Sequence, residues 1–468
     1  MRNIEKIIKK YNLIIKEKDK NSIIFFSKLN HNAQVIHEIE VFLGKKVKIE
    51  KLENEEFIKL DYEKEEWKSD ILGEVDITGF KSFLENENIK NVEDIEEMAN
   101  EAPIINLVNM IIANAVKRDS SDIHIEPFEQ GVVVRYRVDG VLINIGILPL
   151  YIAPALVTRI KIMASLDIAE RRIPQDGRIR IKIFSREVDI RVAIAPIING
   201  ENITLRILDK KKSLLKLENI GFDTYNLKKY YEILKNTTGI ILVTGPTGSG
   251  KTTTLYATLN YLNASEKKII TIEDPIEYQI SGVNQMQVKP EINFTFANGL
   301  RSILRQDPDI IMIGEIRDTE TAKIAVQAAL TGHLVLATLH TNDAPSSIMR
   351  LKDLGVEDYL LAASLKGIIA QRLVRKICPD CKEEKKLKDE SHKRCITCND
   401  IGYVGRLGLF EVMNITDDIK RMISEKRELQ DIIKESKKNG MRTIFEDGEK
   451  KIEDGITTIE EVIRVTSG

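Results

Sequence analysis

An α/β fold class with a parallel, ligand-binding sheet is predicted, on three observations. Residues 245–252 read Gly-Pro-Thr-Gly-Ser-Gly-Lys-Thr, between the apolar run Gly239–Thr244 and a stretch of helical composition. Two further apolar runs, Lys268–Glu273 and Asp309–Glu315, stop at carboxylates, and a third, His333–His340, stops at polar residues. Between residues 121 and 208 the apolar positions instead alternate with period two around Asp139-Gly140, the pattern of antiparallel strands with a hairpin turn.

A length of 468 residues exceeds one ordinary domain and allows several cores. Hydrophobic residues at 43% and charged residues at 30% exclude a disordered or membrane-embedded chain. The net charge of −2 gives no global electrostatic case for nucleic acid, and no aromatic series offers a stacking platform, so no direct nucleic acid binding is expected. Ala102–Val116 contains three Asn residues and runs into Lys117-Arg118-Asp119, which reads as an amphipathic helix rather than a bilayer span. The N-terminus has lysines but no compact apolar core with a small-residue cleavage site, so no secretory signal is expected and the chain is assigned to the cytoplasm.

In chain order, residues 1–70 alternate short apolar clusters, such as Ser22–Phe26 and Lys46–Glu50, with Lys and Glu, and read as a small α/β module. Within them Glu53–Ser69 is charge-rich, a linker or an exposed helix, and residues 71–100 are connection with a short helical piece. Residues 101–209 carry the period-two pattern and are dense in arginine, with Arg135, Arg137, Arg178, Arg191 and Arg206 among them; a solvated strand face accounts for most of these. Residues 210–217 are read as a hinge to the next core.

Residues 218–376 hold the glycine-rich segment. A buried strand delivers the chain to a loop whose N–H groups point inward, and the following helix adds its positive end, an arrangement that holds a triphosphate by main chain. Gly245, Gly248 and Gly250 supply the backbone freedom, with Pro246, Thr247, Ser249 and Thr253 completing the binding segment. Lys251 is placed to reach the β and γ oxygens and the Thr252 hydroxyl to ligate Mg²⁺. Proline after Glu273-Asp274 ends its strand, and Gly314-Glu315 ends the next. In a parallel sheet the carboxyl ends of the strands form the ligand crevice, so Glu273 and Glu315 are expected to meet the Mg²⁺ and the attacking water. His340-Thr341-Asn342 ends a third strand and suits sensing of the γ-phosphate, whereas His333, at the start of that strand, reads as structural or interface-forming.

Residues 377–412 contain all four cysteines, as Cys378-Pro-Asp-Cys381 and Cys395-Ile-Thr-Cys398. Two CxxC turns across a short loop have the spacing of a Cys₄ zinc site, and the polar insert between them cannot build its own core. Disulfides and free thiols are the alternatives; His392 is a further possible ligand, although four cysteines already fill a site. Residues 413–468 are helical by composition: Asp417–Lys438 stops at Asn439-Gly440, and Thr458 with Glu461 has the spacing of a capping box.

These motifs resemble one family. Thr271–Tyr278, Gly299–Asp309 leading into Gly314–Asp318, and Thr331–Asp343 look like the Asp box, Walker B segment and His box of the secretion ATPases, the hexameric motors of type II secretion and type IV pilus assembly. Ser121–Pro127, Val134–Gly140 and Arg171–Ile179 are similar to that family's second N-terminal domain, and the likeness continues through the cysteines to Gly440–Thr443 and Gly455–Thr458. The resemblance implies a RecA-like ATPase domain preceded by a PAS-like α+β domain, a zinc-binding insertion, a homo-hexamer with ATP, Mg²⁺ and Zn²⁺, and an N-terminal module docked on inner-membrane platform proteins. It also implies that Arg191 and Arg206 are arginine fingers, that Glu273 activates water and that Glu315 holds Mg²⁺ or its water.

The cysteine element departs from retraction motors of this family. A short N-terminal region together with Ala363–Arg375 points to assembly of a pseudopilus for type II secretion, with a type IV pilus or DNA-uptake motor as the alternative. A nucleic acid translocase and a non-hydrolysing nucleotide-bound adaptor are the readings from other classes. The second is at odds with the presence of Lys251, Glu273 and Glu315 together.

Overall fold

The computed structural model describes residues 13–18, 22–27, 36, 39–40, 45–51, 92–184, 186–209, 216–384, 395, 397–398 and 401–467. The chain divides into two units, residues 1–82 and 83–468. The first contains β1 (Leu13–Lys18), β2 (Ser22–Ser27) and β3 (Lys46–Lys51), in the order β1-β2-β3, the first pair antiparallel and the second parallel. Alternation in β2 buries Ile23 and Phe25 completely. The charge-rich Glu53–Ser69, most of the expected linker, residues 210–215 of the expected hinge, and His392 lie outside the described residues.

The second unit opens with α1 (Val92–Ala99) and α2 (Ala102–Lys117). In α2 a proline occupies the first turn, where no N–H is needed, and Ile104, Leu107, Val108, Ile111, Ile112 and Ala115 form one buried stripe. The strands β4 (Asp122–Phe128), β5 (Gly131–Val138) and β6 (Val141–Leu148) follow; then come α3 (Ala153–Ala164), β7 (Gln175–Ile183), β8 (Arg186–Ile197) and β9 (Gly200–Asp209). They form an antiparallel sheet in the order β6-β5-β4-β9-β8-β7. Its apolar face, with Ile123, Ile125, Tyr136, Ile190, Val192 and Leu205 buried, is tied to α2 where Tyr136 Oη donates to the carbonyl of Ile111 at 2.6 Å. The β5–β6 turn places Asp139 and Gly140 at φ of 49° and 85°, the left-handed pair that a two-residue hairpin requires.

The chain continues through α4 (Thr224–Leu234), β10 (Gly239–Thr244), α5 (Lys251–Leu262), β11 (Ile269–Glu273), β12 (Val283–Gln287), α6 (Phe296–Ile303) and β13 (Ile310–Ile313). Then follow α7 (Thr319–Leu330), β14 (Leu334–Leu339), α8 (Ser346–Asp353), α9 (Asp358–Ser364), β15 (Leu365–Ile377), α10 (Pro379–Glu384) and β16 (Tyr403–Asn414). These strands make a seven-stranded sheet in the order β12-β11-β13-β14-β10-β15-β16, parallel except for β16. Both faces are covered, which explains the uniformly apolar runs. Ile270, Ile272, Ile311 and Ile313 share one core with residues of α6 and α7, and Ile241, Val243 and Ile269 share another with residues of α4 and α5. The cysteine segment is the tip of a hairpin whose arms, β15 and β16, belong to this sheet.

The chain ends in α11 (Asp417–Ser424), α12 (Leu429–Lys438), α13 (Ile444–Glu453) and α14 (Ile459–Thr466). The expected single helix over 417–438 is two, broken after α11 where Lys426 takes φ 58°. The capping box expected at Thr458 and Glu461 is only half formed. Thr458 Oγ1 accepts from the Glu461 N–H at 3.4 Å, but the Glu461 carboxylate is taken by Arg375 and Arg464. A complete box forms instead at Thr443 and Glu446.

The two sheets of this unit meet at named contacts. Asp139 Oδ2 accepts from the Gly405 N–H at 2.7 Å, Asp139 Oδ1 stands 3.6 Å from Arg406 Nε, and Arg191 Nη2 donates to the Ile276 carbonyl at 3.2 Å.

Candidate functional site

The buried strand β10 ends at Thr244 and hands the chain to Gly245 at φ 149°, where a Cβ would stand 2.5 Å from the Gln371 carbonyl oxygen. Gly250 caps α5 at φ 89° with a Cβ position only 2.8 Å from Gln371 Nε2. Only glycine fits either place. Lys251 folds back to donate from Nζ to the carbonyls of Gly245 and Pro246, at 2.7 and 3.0 Å. Burial pushes its pKa down to about 8, with Glu315 opposing the shift and Arg372 adding to it. Pro246, Thr247, Gly248 and Thr252 are exposed, Thr253 is half-buried, and Ser249 Oγ is buried with no partner among the described residues. An open loop over a helix N-terminus, with an inward lysine and an unused hydroxyl, fits a chain of phosphates.

Beside it, the turn after β13 is pinned from both sides. The Gly314 N–H donates to the Ile272 carbonyl at 2.8 Å, the Ile316 N–H donates to the Thr338 carbonyl at 3.0 Å, and Thr338 Oγ1 donates to the Gly314 carbonyl at 2.5 Å. Glu315 is thereby fixed between β11 and β14, with Arg317 Nε at 2.5 Å and His340 Nε2 at 3.4 Å from one carboxylate oxygen. Burial, then the positive charge of Lys251, lowers the His340 pKa, which favours the neutral imidazole. The next residue is locked to β10, where the Thr341 N–H donates to Thr244 Oγ1 at 2.8 Å. Lys251, Glu315 and His340 thus gather where three strands end. His333 stays outside this group, its Nδ1 2.9 Å from the Ala328 carbonyl at the end of α7.

Glu273 lies on the face of β11 that meets α5 and is 3% exposed. Its carboxylate accepts from Tyr256 Oη, from Thr271 Oγ1 at 2.5 Å and from Gln285 Nε2 at 3.1 Å. Burial raises its pKa against those three hydrogen bonds. Four residues on, Glu277 is exposed, and its N–H stands 3.4 Å from the same Tyr256 oxygen.

Register places Arg137, Asp122, Arg206, Arg191 and Arg178 side by side across β5, β4, β9, β8 and β7. Arg206 Nε is 3.0 Å and Arg137 Nε 3.7 Å from Asp122, and Arg178 Nε is 3.1 Å from Asp189. Arg191 is the member that reaches the loop after Glu273; Arg206 stays on its own sheet, 61% exposed.

The Sγ atoms of Cys378, Cys381, Cys395 and Cys398 lie within 4.8 Å of one another. The Cys378–Cys395 and Cys381–Cys398 separations of 3.8 and 3.4 Å are far from a bonded pair at about 2.05 Å and near the roughly 3.8 Å edge of a tetrahedral zinc thiolate. The donor set fits zinc, and the Gly402 N–H donates to Cys398 Sγ at 3.2 Å, as a metal thiolate would accept.

No sequence pattern pointed to Tyr256, Gln285, Gln371 or Arg372. Gln371 and Arg372 are marked only as two polar residues inside the buried run Ile368–Val374; the others depend on pairings that no local pattern encodes.

Residues 97–464 match the model of the family described as Type II/IV secretion system protein. The chain is similar to the type II secretion system protein HxcR of Pseudomonas aeruginosa, 51% identical over 382 residues and 81% of each chain. It is also similar to the type II secretion system ATPase E of Vibrio cholerae, at 48% identity over 81% of this chain and 78% of that one. Among solved structures, the pilus retraction motor PilT with bound ADP superposes with a TM-score of 0.56 at 28% identity, covering 76% of this chain and 96% of PilT.

Proposed function

The chain belongs to the Type II/IV secretion system protein family, and from that membership we propose that it is an ATPase motor that drives pseudopilus assembly in type II protein secretion. The observation that carries the reading is the convergence of Lys251, Glu315 and His340 at the carboxyl ends of β10, β13 and β14, beside an open glycine loop. Lys251 has main-chain acceptors that phosphate oxygens replace, and its charge then meets the β and γ oxygens of ATP. Thr252 and Glu315 would hold Mg²⁺, which would supply neutralisation of the phosphate charge there. Glu273 takes the proton of the attacking water once Tyr256 yields its place. His340, favoured as the neutral ring, donates towards the γ-phosphoryl group, and Arg191 and Arg206 bring positive charge from the second sheet.

Residues 101–209 act as the arginine-bearing domain, 218–376 as the ATPase core, and 1–70 as the docking module for inner-membrane platform proteins. Among the described residues no helix is long and apolar enough to cross a membrane; recruitment by a partner from the cytoplasm is part of the proposal. We assign the working form to a homo-hexamer, in which neighbours supply closure of the site. The test is turnover of the purified chain: Lys251→Ala should abolish it, and Glu315→Gln should keep nucleotide affinity while losing it. Wild-type-like turnover of Lys251→Ala would remove the proposal. Specific activity should also rise with protein concentration as the ring assembles. A secretion motor should be stimulated by type II platform protein, and stimulation only by a pilus platform would move the reading to pilus assembly.

A further inference from the structure

Beside the phosphate loop runs a strand whose polar residues reach three different elements. Pairing of β15 with β10 extends to Ala370 opposite Thr244, so Gln371 and Arg372 stand just where the glycine loop begins. Neighbours on a strand face opposite ways. Gln371 serves the loop side, where its Oε1 accepts from Thr254 Oγ1 of α5 at 2.6 Å.

Arg372 serves the other side and is 8% exposed. Its Nη2 donates to both the carbonyl and the Oδ1 of Asn342, at 3.0 and 3.1 Å, and Nη1 donates to the Gln371 carbonyl at 3.2 Å. Its Nε donates to the Val465 carbonyl at 3.1 Å, in the last turn of α14, where helix carbonyls lack partners. Among the described residues no carboxylate stands within ion-pair distance of Arg372. Three main-chain oxygens and the Asn342 side-chain amide hold this buried cation, so its position follows theirs. The same helix is gripped at its first turn by Arg375, whose Nη2 lies 2.6 Å from Glu461. Two residues beyond Asn342, the Ala344 N–H donates to buried Glu411 at 2.7 Å, so the turn leans on β15 and β16 together.

Asn342 is two residues from His340, and the charge of Arg372 is felt at Lys251. We propose that Arg372 is a positioning residue of the hydrolytic site, holding the His340–Asn342 turn at its working distance from the phosphate loop and passing movement of that turn to helix α14. The inference rests on the ATPase reading. Loss of the γ-phosphate changes what His340 touches; a planar fork with donors on both elements carries the displacement, and the single ammonium of lysine cannot replace it.

The test uses the full chain with Arg372→Ala, Arg372→Lys and Asn342→Ala. Steady-state ATP hydrolysis is measured with amide hydrogen exchange of residues 459–466 in a non-hydrolysable ATP analogue and in ADP. Both Arg372 variants should lose roughly 10- to 100-fold in kcat, the scale of a misplaced group, with KM changed less than about three-fold. The exchange difference between the two nucleotides over 459–466, present in wild type, should vanish. Asn342→Ala should shift both readouts the same way by less, and it decides the matter if the Arg372 variants do not fold. Unchanged kcat in the variants, or an exchange difference that survives in them, overturns the proposal. Wild type that hydrolyses ATP without any difference over 459–466 defeats the relay alone; wild type that does not hydrolyse ATP defeats the functional reading beneath it.

Discussion

Arg191 Nη2 donates to the main-chain carbonyl of Ile276 at 3.2 Å, so a strand of the arginine-rich sheet touches the loop that follows Glu273. Because the acceptor is backbone, no side chain of that loop is committed by the contact, and the guanidinium keeps donors free for a second acceptor.

If those donors meet the γ-phosphoryl group, Arg191→Ala should lower turnover by about 10³ to 10⁵ while nucleotide affinity changes little. Arg191→Lys should not restore it, since one ammonium cannot span both acceptors. Single-turnover hydrolysis beside titration with a fluorescent nucleotide separates the two effects. A loss below about ten-fold would make Arg191 a brace between domains.

Tyr256→Phe removes one of the three donors that hold the charged form of Glu273. Its pKa, already raised by burial, should rise further. If Glu273 is the base, the acid limb of the kcat profile should move to higher pH by roughly one unit, with KM little changed. An unmoved limb assigns the base elsewhere, and Glu277→Gln measured alongside tests the exposed carboxylate four residues away.

Burial pushes the Glu411 carboxyl up to about 7, above its ordinary 4.5. The native state therefore holds this proton more tightly than the unfolded chain, and the stability it contributes at low pH is lost as pH rises through about 7. Glu411→Gln keeps an oxygen for the Ala344 N–H and removes the buried charge. The variant should gain on wild type as pH goes from 5.5 to 8, by about 2 kcal/mol or less, in denaturant melts at both pH values. An equal difference at the two pH values would show that the carboxyl does not titrate in this window.

Metal analysis should find one zinc per chain, lost on Cys398→Ser. The Cys378 N–H donates to the Gly402 carbonyl at 3.0 Å, and the Gly402 N–H donates to Cys398, so these amides should exchange faster after chelation. The pairs from Gly367–Asn414 to Arg375–Arg406 should keep their protection, because the hairpin arms belong to the main sheet. Uniform loss over both arms would mean that the metal supports the whole hairpin.

Much of the core was legible because its signals are local. The apolar runs ending at Thr244, Glu273 and Glu315 mark strands, and the glycines mark a loop in which positions 245 and 250 leave no room for a Cβ. What escaped was set by tertiary pairing. Thr458 and Glu461 have the spacing of a capping box, yet Glu461 is drawn to Arg375 by a strand 86 residues away in sequence. Tyr256 reads as one more aromatic on a helix, and only the packing of α5 on β11 turns its hydroxyl to Glu273. Arg372 reads as a polar interruption until β15 takes its place beside β10.

The row Arg178, Arg191, Arg206, Asp122 and Arg137 brings three cations into succession on strands about 4.8 Å apart, with one anion following. Like charges directly opposite each other destabilise a sheet; the pairs Arg206–Asp122 and Arg178–Asp189 offset part of that repulsion, and between them Arg191 is held by a main-chain carbonyl. Polyvalent oxyanions, which can lie along the three arginines, should raise the melting temperature beyond chloride at equal ionic strength. The sheet carries an ionic debt that its own acids leave partly unsettled, and whichever anion comes to rest along the row will alter the cohesion of the domain as well as its charge.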